Sequence, residues 1–465
     1  MENQSGIEKE AKPKESRFAR MVARLRGERQ TRLLAALCLL GAGFLVIFLV
    51  NNVFSHLDPV TWAYEDQEVF PHYPPAGNDF RVGYYWPAVF LIDSQFTGIG
   101  PNGSYPSNYP PLVALTSLPY ALFTPESAYI LHVVLLVLAN LACLGMAVWL
   151  AKQLLFDNID LDLLLVKLIC GSLFFGLAFY VFSSYFFAYS MERGNTDIFA
   201  MFYCLLAMLV LIKRPEAVWL QVGLLSVAVH FKIYPVVLFA VLLYKHGKKL
   251  ILPALALNTA FLFVLGPKVA LGFLRSFSSG GEGVGLGNAW SNVGNHASYS
   301  FTMGIDRSGG EYLNTTFFMI WGATFLIPLV VWGISAIALV MKKYSSRSAL
   351  LLFMISVPLM NLLPTVSMDY KLVILGAAVI LLLALILKSM AAKFSWFDLL
   401  QLFLLLGVLL MMSRSYAFID RSQVFIRNKY LWVLLLEVCM AANILRGWRA
   451  QFRTDREINP PSTNG

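Results

Sequence analysis

Long apolar runs, separated by short polar segments, recur along almost the whole chain. An α-helix needs about 20 such residues to cross the hydrocarbon core of a membrane. The runs predict about 11–13 spanning helices; those near residues 220 and 240 are short, and are either broken helices or one re-entrant hairpin. The predicted spans are residues 33–54, 127–152, 163–188, 195–212, 216–230, 233–245, 249–267, 313–341, 349–363, 370–388, 396–412 and 429–446.

Composition agrees with this pattern. Of the 465 residues, 58% are hydrophobic and 14% are charged, and the mean hydropathy is +0.65. A soluble domain typically carries about 25% charged residues. The sequence therefore predicts an all-α polytopic membrane protein.

Lysine and arginine concentrate in the segments that would share one side of the membrane, which orients the chain with both termini in the cytoplasm. The predicted organisation is a basic cytoplasmic tail (1–30), a single transmembrane domain (31–453) with long outer loops at about 55–126 and 268–312, and a polar cytoplasmic tail (454–465). We expect the protein to lie in the plasma membrane, in contact with membrane lipids.

The net charge of +9 does not indicate nucleic-acid binding, because the basic residues are spread over every inner loop. All five cysteines fall inside predicted spans, where they are expected to pack as small apolar residues. The six histidines show no ligand spacing. No metal and no cofactor is therefore expected.

The first outer loop carries the most informative polar residues. Asp79 is the candidate catalytic base, since a carboxylate beside an acceptor hydroxyl can take its proton as a bond forms. The alternative is that Asp79 caps a short interfacial helix. Four further residues of this loop are candidate contacts to a sugar or acceptor, although an interfacial aromatic belt would also explain the tyrosines: Tyr84, Tyr105, Asn108 and Tyr109.

Other ionisable and polar residues lie at predicted outer ends of spans, where they are costly and often functional. Candidates for binding a donor phosphate are Lys232, Arg193 and Arg414. Candidates for sugar or acceptor contacts are Asn195, His296, Asp369 and Lys371. The alternatives are an internal ion pair with an N-cap at residues 192–197, a lysine that extends to the interface, and contact with lipid headgroups.

Taken together, five short motifs resemble glycosyltransferase family 87, the polyprenyl-phosphate-mannose-dependent mannosyltransferases of the membrane-embedded GT-C superfamily. They occur in the family's order: DFRVGYYWPAVFL at Asp79–Leu91, Y-x-x-N-Y-P-P-L ending at Leu112, RGNTDIF at Arg193–Phe199, K-x-Y-P at Lys232–Pro235 and GNHAS at Gly294–Ser298. The chain departs from the family at Glu192-Arg193-Gly194-Asn195, where a Gly-Gln pair usually precedes the asparagine. The C-terminal third matches only as hydrophobic spans.

The resemblance implies a GT-C-type bundle with short interfacial helices in a large first outer loop. It also implies an inverting hexosyltransferase that moves a sugar, expected to be mannose, from a polyprenyl-phosphate donor to a lipid or glycan acceptor at the outer face. Asp79 matches the family's first-loop aspartate and would deprotonate the acceptor hydroxyl. A fixed lysine or arginine would stabilise the departing phosphate.

Two other functions fit the sequence. A transporter or flippase of lipid-linked saccharides would share the spans and the buried charges, and such proteins are often built from internal repeats, which we do not find in this chain. An enzyme of the O-antigen ligase or polymerase type would use a donor with a diphosphate leaving group.

Overall fold

The fold is known from a computed structural model that describes residues 28, 31–43, 45, 77–92, 109–155, 164–278, 313–342, 344–363, 369–393, 395–411 and 429–458. Every regular element among these residues is helical. The prediction of an all-α polytopic membrane protein is thereby confirmed.

We number the α-helices in chain order and give 3₁₀ turns by their residues. The helices are α1 (Thr31–Gly43), α2 (Asn78–Phe80, continued by a π-helical turn Arg81–Tyr85 and by Trp86–Ile92), α3 (Pro111–Thr116), α4 (Pro125–Leu155), α5 (Leu164–Phe182), α6 (Tyr185–Arg193), α7 (Asp197–Lys213), α8 (Val218–Phe231), α9 (Phe239–His246), α10 (Ile251–Leu262), α11 (Pro267–Ser278), α12 (Leu313–Val340), α13 (Ser346–Leu362), α14 (Leu375–Ala392), α15 (Trp396–Met411) and α16 (Lys429–Ile458). The 3₁₀ turns are Leu118–Leu122, Tyr234–Leu238, Gly247–Leu250 and Asp369–Ile374.

Helix α14 is the centre of the bundle. In its most apolar stretch, within Lys371–Ala392, 89% of the residues are buried inside the protein, against 33% for Pro125–Leu154 in α4. Helix α14 packs against α4, α5, α13 and α15. The difference in burial places α4 at the periphery, where its exposed leucines and valines would face lipid.

Two described helices are long and apolar enough to cross a membrane alone, and up to four spans result if each of two bent pairs counts as one. Six shorter apolar helices accompany them in the part of the chain that the structure describes. Several predicted spans fall partly or wholly outside that part. The expected number of 11–13 spanning helices therefore stays a prediction.

The short apolar runs near residues 220 and 240 form separate helices with a polar break between them. Helix α8 ends at Phe231, Lys232 follows in extended backbone, and a 3₁₀ turn leads into α9. Proline inside this turn favours the break, because it donates no backbone hydrogen bond. Farther on, a bend of 98° separates the helical segment Tyr234–Leu262 from Pro267–Leu274.

One ion pair fastens α15 to α16. The Asp398 carboxylate is fully buried and accepts from Arg446 Nη1 at 3.0 Å and from Ser395 Oγ at 2.6 Å. Ser395 also accepts from the Asp398 backbone N–H, which closes a reciprocal cap at the start of α15.

Arg446→Met is expected to destabilise the protein by about 1–3 kcal/mol, because the buried Asp398 carboxylate loses one charge-assisted hydrogen bond and keeps the one from Ser395. Thermal unfolding in detergent micelles should show a lowered Tm. Arg347→Met, at an exposed position near the start of α13, is the matched control and should change the Tm little. A Tm that is equal for both variants would contradict a role of the ion pair in stability.

Candidate functional site

Two glycines bring α2 against the turn between α6 and α7. Gly77 (φ +85°) donates its backbone N–H to Glu192 O at 2.8 Å, and Gly194 (φ +68°) ends α6. A Cβ atom at Gly77 would lie 2.6 Å from the Tyr129 ring, and one at Gly194 would lie 2.5 Å from Phe80 Cβ. Only glycine combines the left-handed backbone with such close approach.

Asp79 lies in the first turn of α2, beside the contact that Gly77 and Gly194 make with the neighbouring segment. Its Oδ1 accepts from Arg193 Nη2 at 2.6 Å, and its Oδ2 accepts from Asn195 Nδ2 at 3.2 Å. The side chain is 14% exposed. A carboxylate has about four acceptor positions, so these two bonds orient Asp79 and leave capacity for an acceptor hydroxyl.

Asn195 connects Asp79 to the start of α7. While its amide donates to Asp79, its Oδ1 accepts from the Asp197 backbone N–H at 3.2 Å. Asn195 thus contacts both Asp79 and the first residue of α7, whereas the N-cap residue of α7 is Thr196. Arg193 pairs with Asp79, which lies outside its own segment. The RGNTD motif therefore positions the candidate base.

A cluster of buried charges begins at Asp197. Its carboxylate is 1% exposed and lies 3.9 Å from Lys232 Nζ. Tyr234 donates a short hydrogen bond to Asp197 Oδ1, and the ammonium group of Lys371 lies 4.3 Å from the Tyr234 ring centroid. Lys232 thus pairs with Asp197 directly, and Lys371 lies against the tyrosine that bonds the same carboxylate. Burial lowers the pKa of Lys232, but attraction to Asp197, together with smaller contributions from Tyr109 and Asp79, outweighs burial and raises this pKa above its ordinary value.

Tyrosines of the outer segments cover this cluster. Tyr109 accepts from Lys232 Nζ at 3.2 Å, and the rings of Tyr84 and Tyr109 lie 4.8 Å apart. The hydroxyl groups of Tyr84 and Thr196 are 2.5 Å apart. Burial raises the pKa of Tyr84 well above its usual range, so this hydroxyl stays protonated and serves as a hydrogen-bonding group.

His132 of α4 contacts both α2 and the turn between α6 and α7. Its fully buried ring lies 4.7 Å from the Phe80 ring, and its Nε2 donates to Gly194 O at 3.0 Å, since a carbonyl oxygen can only accept. Its Nδ1 is 3.0 Å from the Tyr120 hydroxyl. Sequence reasoning did not single out His132, although a polar residue inside an apolar span was the available signal.

The structure brings together seven of the predicted site residues and leaves five undetermined. The seven are Asp79, Tyr84, Tyr109, Arg193, Asn195, Lys232 and Lys371. Tyr105, Asn108, His296 and Arg414 lie outside the described residues, and of Asp369 only the backbone is described, at the start of a 3₁₀ turn. Asp197, Tyr234 and Thr196 join the site although the prediction did not include them as contacts.

The arrangement combines an oriented carboxylate with a buried pair of cations, joined through Asn195 and Asp197. The carboxylate can accept a proton from a hydroxyl group, while the cations can stabilise an anionic leaving group. Such a site on a polytopic helical fold is suited to transferring a group from an anionic carrier to a hydroxyl. This defines the class of protein as a membrane-embedded transferase.

Comparison with known protein families narrows the class. Glycosyltransferase family 87 matches residues 108–367, which is more than half of the chain. The protein belongs to this family and is a membrane glycosyltransferase. The matched range contains Arg193, Asp197, Lys232 and Tyr234, whereas Asp79 precedes it. A comparison with curated protein sequences gives no match.

Proposed function

We propose that the protein is an inverting hexosyltransferase that moves mannose from a polyprenyl-phosphate donor to a hydroxyl of a lipid or glycan acceptor. One observation carries the proposal: Asp79, Asn195, Asp197 and Lys232 form a continuous series of contacts. A base and an anion-binding cation therefore share one site. Mannose and the polyprenyl carrier come from the family resemblance.

In this reaction Asp79 accepts the proton of the acceptor hydroxyl as its oxygen attacks the anomeric carbon. The bond between that carbon and the phosphate oxygen breaks, and its electron pair leaves with the polyprenyl phosphate. Attack opposite the phosphate inverts the configuration. Arg193 and Asn195 orient the base through their hydrogen bonds to its two oxygens.

The charge of the cluster favours a donor with a single phosphate. With a donor bound and Lys371 protonated beside the Lys232–Asp197 pair, the cluster would carry one net positive charge. The phosphodiester of a polyprenyl-phosphate sugar carries one negative charge, which this site would neutralise. A diphosphate would leave an uncompensated buried charge, which is costly. Lys371, predicted as a sugar contact, is therefore assigned to the phosphate with Lys232.

The predicted topology places this site at the outer face of the plasma membrane, with both termini in the cytoplasm. Donor and acceptor would then reach it from the outer leaflet. Arg414 as a second phosphate contact, and Tyr105, Asn108, His296 and Asp369 as contacts to the sugar or acceptor, remain part of the proposal.

The proposal is tested by incubating purified protein with membrane lipid extract and radiolabelled mannose on two carriers, a polyprenyl phosphate and a polyprenyl diphosphate. Transfer from the monophosphate donor alone is expected. Transfer from the diphosphate alone would support the ligase or polymerase alternative. Absence of transfer from either, with movement of the labelled lipid across proteoliposome membranes, would support a flippase.

A further inference from the structure

Tyr109 covers the cation that the proposed function assigns to the donor phosphate. Its hydroxyl oxygen is 3.2 Å from Lys232 Nζ, and its ring centroid is 4.6 Å from the same nitrogen. Asp197 lies near Nζ as well, at 3.9 Å. The Lys232 side chain is only 15% exposed. Tyr109 therefore occupies one of the three N–H directions of this ammonium group and covers part of the approach to Nζ.

We propose that Tyr109 is a displaceable cap, whose side chain leaves Lys232 when the donor phosphate binds. In the uncapped state the ammonium would lose one acceptor and a cation–π contact while remaining in a largely buried site. Tyr109 thus stabilises the free enzyme and competes with the donor. This makes it a positioning residue and not a sugar contact, and the inference rests on the proposed role of Lys232.

The local structure restricts the displacement to the side chain. Tyr109 precedes Pro110, and the residue before a proline is confined to extended backbone. The ring fits beside Gly83, where an added Cβ atom would collide with it. The displacement that we propose is a rotation about the side-chain bonds of Tyr109, with α2 and α3 in place.

Displacement of Tyr109 would also affect residues other than Lys232. The Tyr109 ring lies 4.8 Å from the ring of Tyr84, whose hydroxyl group lies against Thr196 at the start of α7. The Thr196 backbone follows Asn195, which holds Asp79. A series of contacts therefore connects Tyr109 to the turn that orients the base.

The test compares wild type with Tyr109→Phe, which keeps the ring beside Gly83 and removes the hydroxyl. Binding of farnesyl phosphate to the purified protein is measured, with farnesol as the uncharged control. The variant is expected to bind farnesyl phosphate about fivefold more tightly, because one competing hydrogen bond is gone. Farnesol binding should not change. In the transfer assay the donor KM should fall by a similar factor with an unchanged kcat.

Equal or weaker binding of farnesyl phosphate by Tyr109→Phe would overturn the cap. Adding Lys232→Met separates this failure from failure of the proposed function. Loss of binding in Lys232→Met and in the double variant, together with tighter binding in Tyr109→Phe, supports both proposals. Loss of binding on removing Lys232, without any gain in Tyr109→Phe, refutes the cap alone. If Lys232→Met binds farnesyl phosphate as tightly as wild type, Lys232 is not the phosphate contact, and the proposed cap is refuted too.

Discussion

Asp79→Asn is expected to lower mannose transfer at least about hundredfold, since positioned general bases contribute about 10²–10⁴ to rate. Asparagine has nearly the same shape, and its oxygen can still accept from Arg193, but its amide cannot take up the proton of the acceptor hydroxyl. The lysine cluster is unchanged, so donor binding should persist. The loss should therefore appear in kcat, with little change in the donor KM.

Glu126→Gln provides the matched control for this prediction. Glu126 is 69% exposed and pairs with Arg81 at 3.3 Å, so this variant removes an exposed carboxylate whose ion-pair partner differs from that of Asp79. Both variants should elute alike in size-exclusion chromatography. Transfer by Asp79→Asn at the rate of Glu126→Gln would remove Asp79 as the base, and Glu192 and Asp369 would become the next carboxylates to test.

Lys232→Met is expected to lower kcat by about 10²–10³, the usual cost of removing one group that stabilises a developing anion. Methionine keeps the unbranched stem but removes the ammonium that would face the departing phosphate. The donor KM should rise too, because the same cation contacts the phosphate before transfer. This joint effect on kcat and KM distinguishes Lys232 from Asp79.

Two control variants distinguish a loss of catalysis from a loss of folded structure. Lys213→Met removes a lysine at the end of α7, whose ammonium group lies 4.8 Å from the Trp149 ring centroid, and should leave transfer intact. Lys232→Met combined with Asp197→Asn removes both partners, so no unpaired charge from this pair remains buried. Recovery of activity in the double variant would show that Lys232 merely balances Asp197.

The fold class was predictable because the length and composition of apolar helices are dictated by the membrane. The bounds of the helices were less predictable than the fold class. The predicted span 163–188 divides into α5 and α6, with a 43° bend between Gly171–Phe182 and Phe186–Arg193. Hydropathy does not detect such a bend. It also does not distinguish α14, at the centre, from α4 at the periphery, because both are apolar all round.

The site was predictable only in part. Sidedness along the chain placed Asp79, Arg193 and Lys232 at one face, but it could not pair them. The pairing of Asp79 with Arg193 spans 114 positions in sequence and depends on two left-handed glycines. Asp197 was noted only as part of a motif, since its contact with Lys232 arises from the break after α8. Residue type predicted the chemistry, whereas three-dimensional packing determines the partners.

The two left-handed glycines, Gly77 and Gly194, limit how the sequence of this protein can diverge. Gly77 fits against Tyr129, and Gly194 fits against Phe80, so each glycine and its aromatic neighbour form a matched pair across two distant segments. A larger residue at either glycine would be strained by the left-handed backbone even beside a smaller neighbour, so each pair is kept as a unit. Exchange of the predicted first outer loop between homologues should therefore succeed when both glycine–aromatic pairs are transferred together. The sequence of this loop is then expected to co-vary with the sequences of α4 and α6.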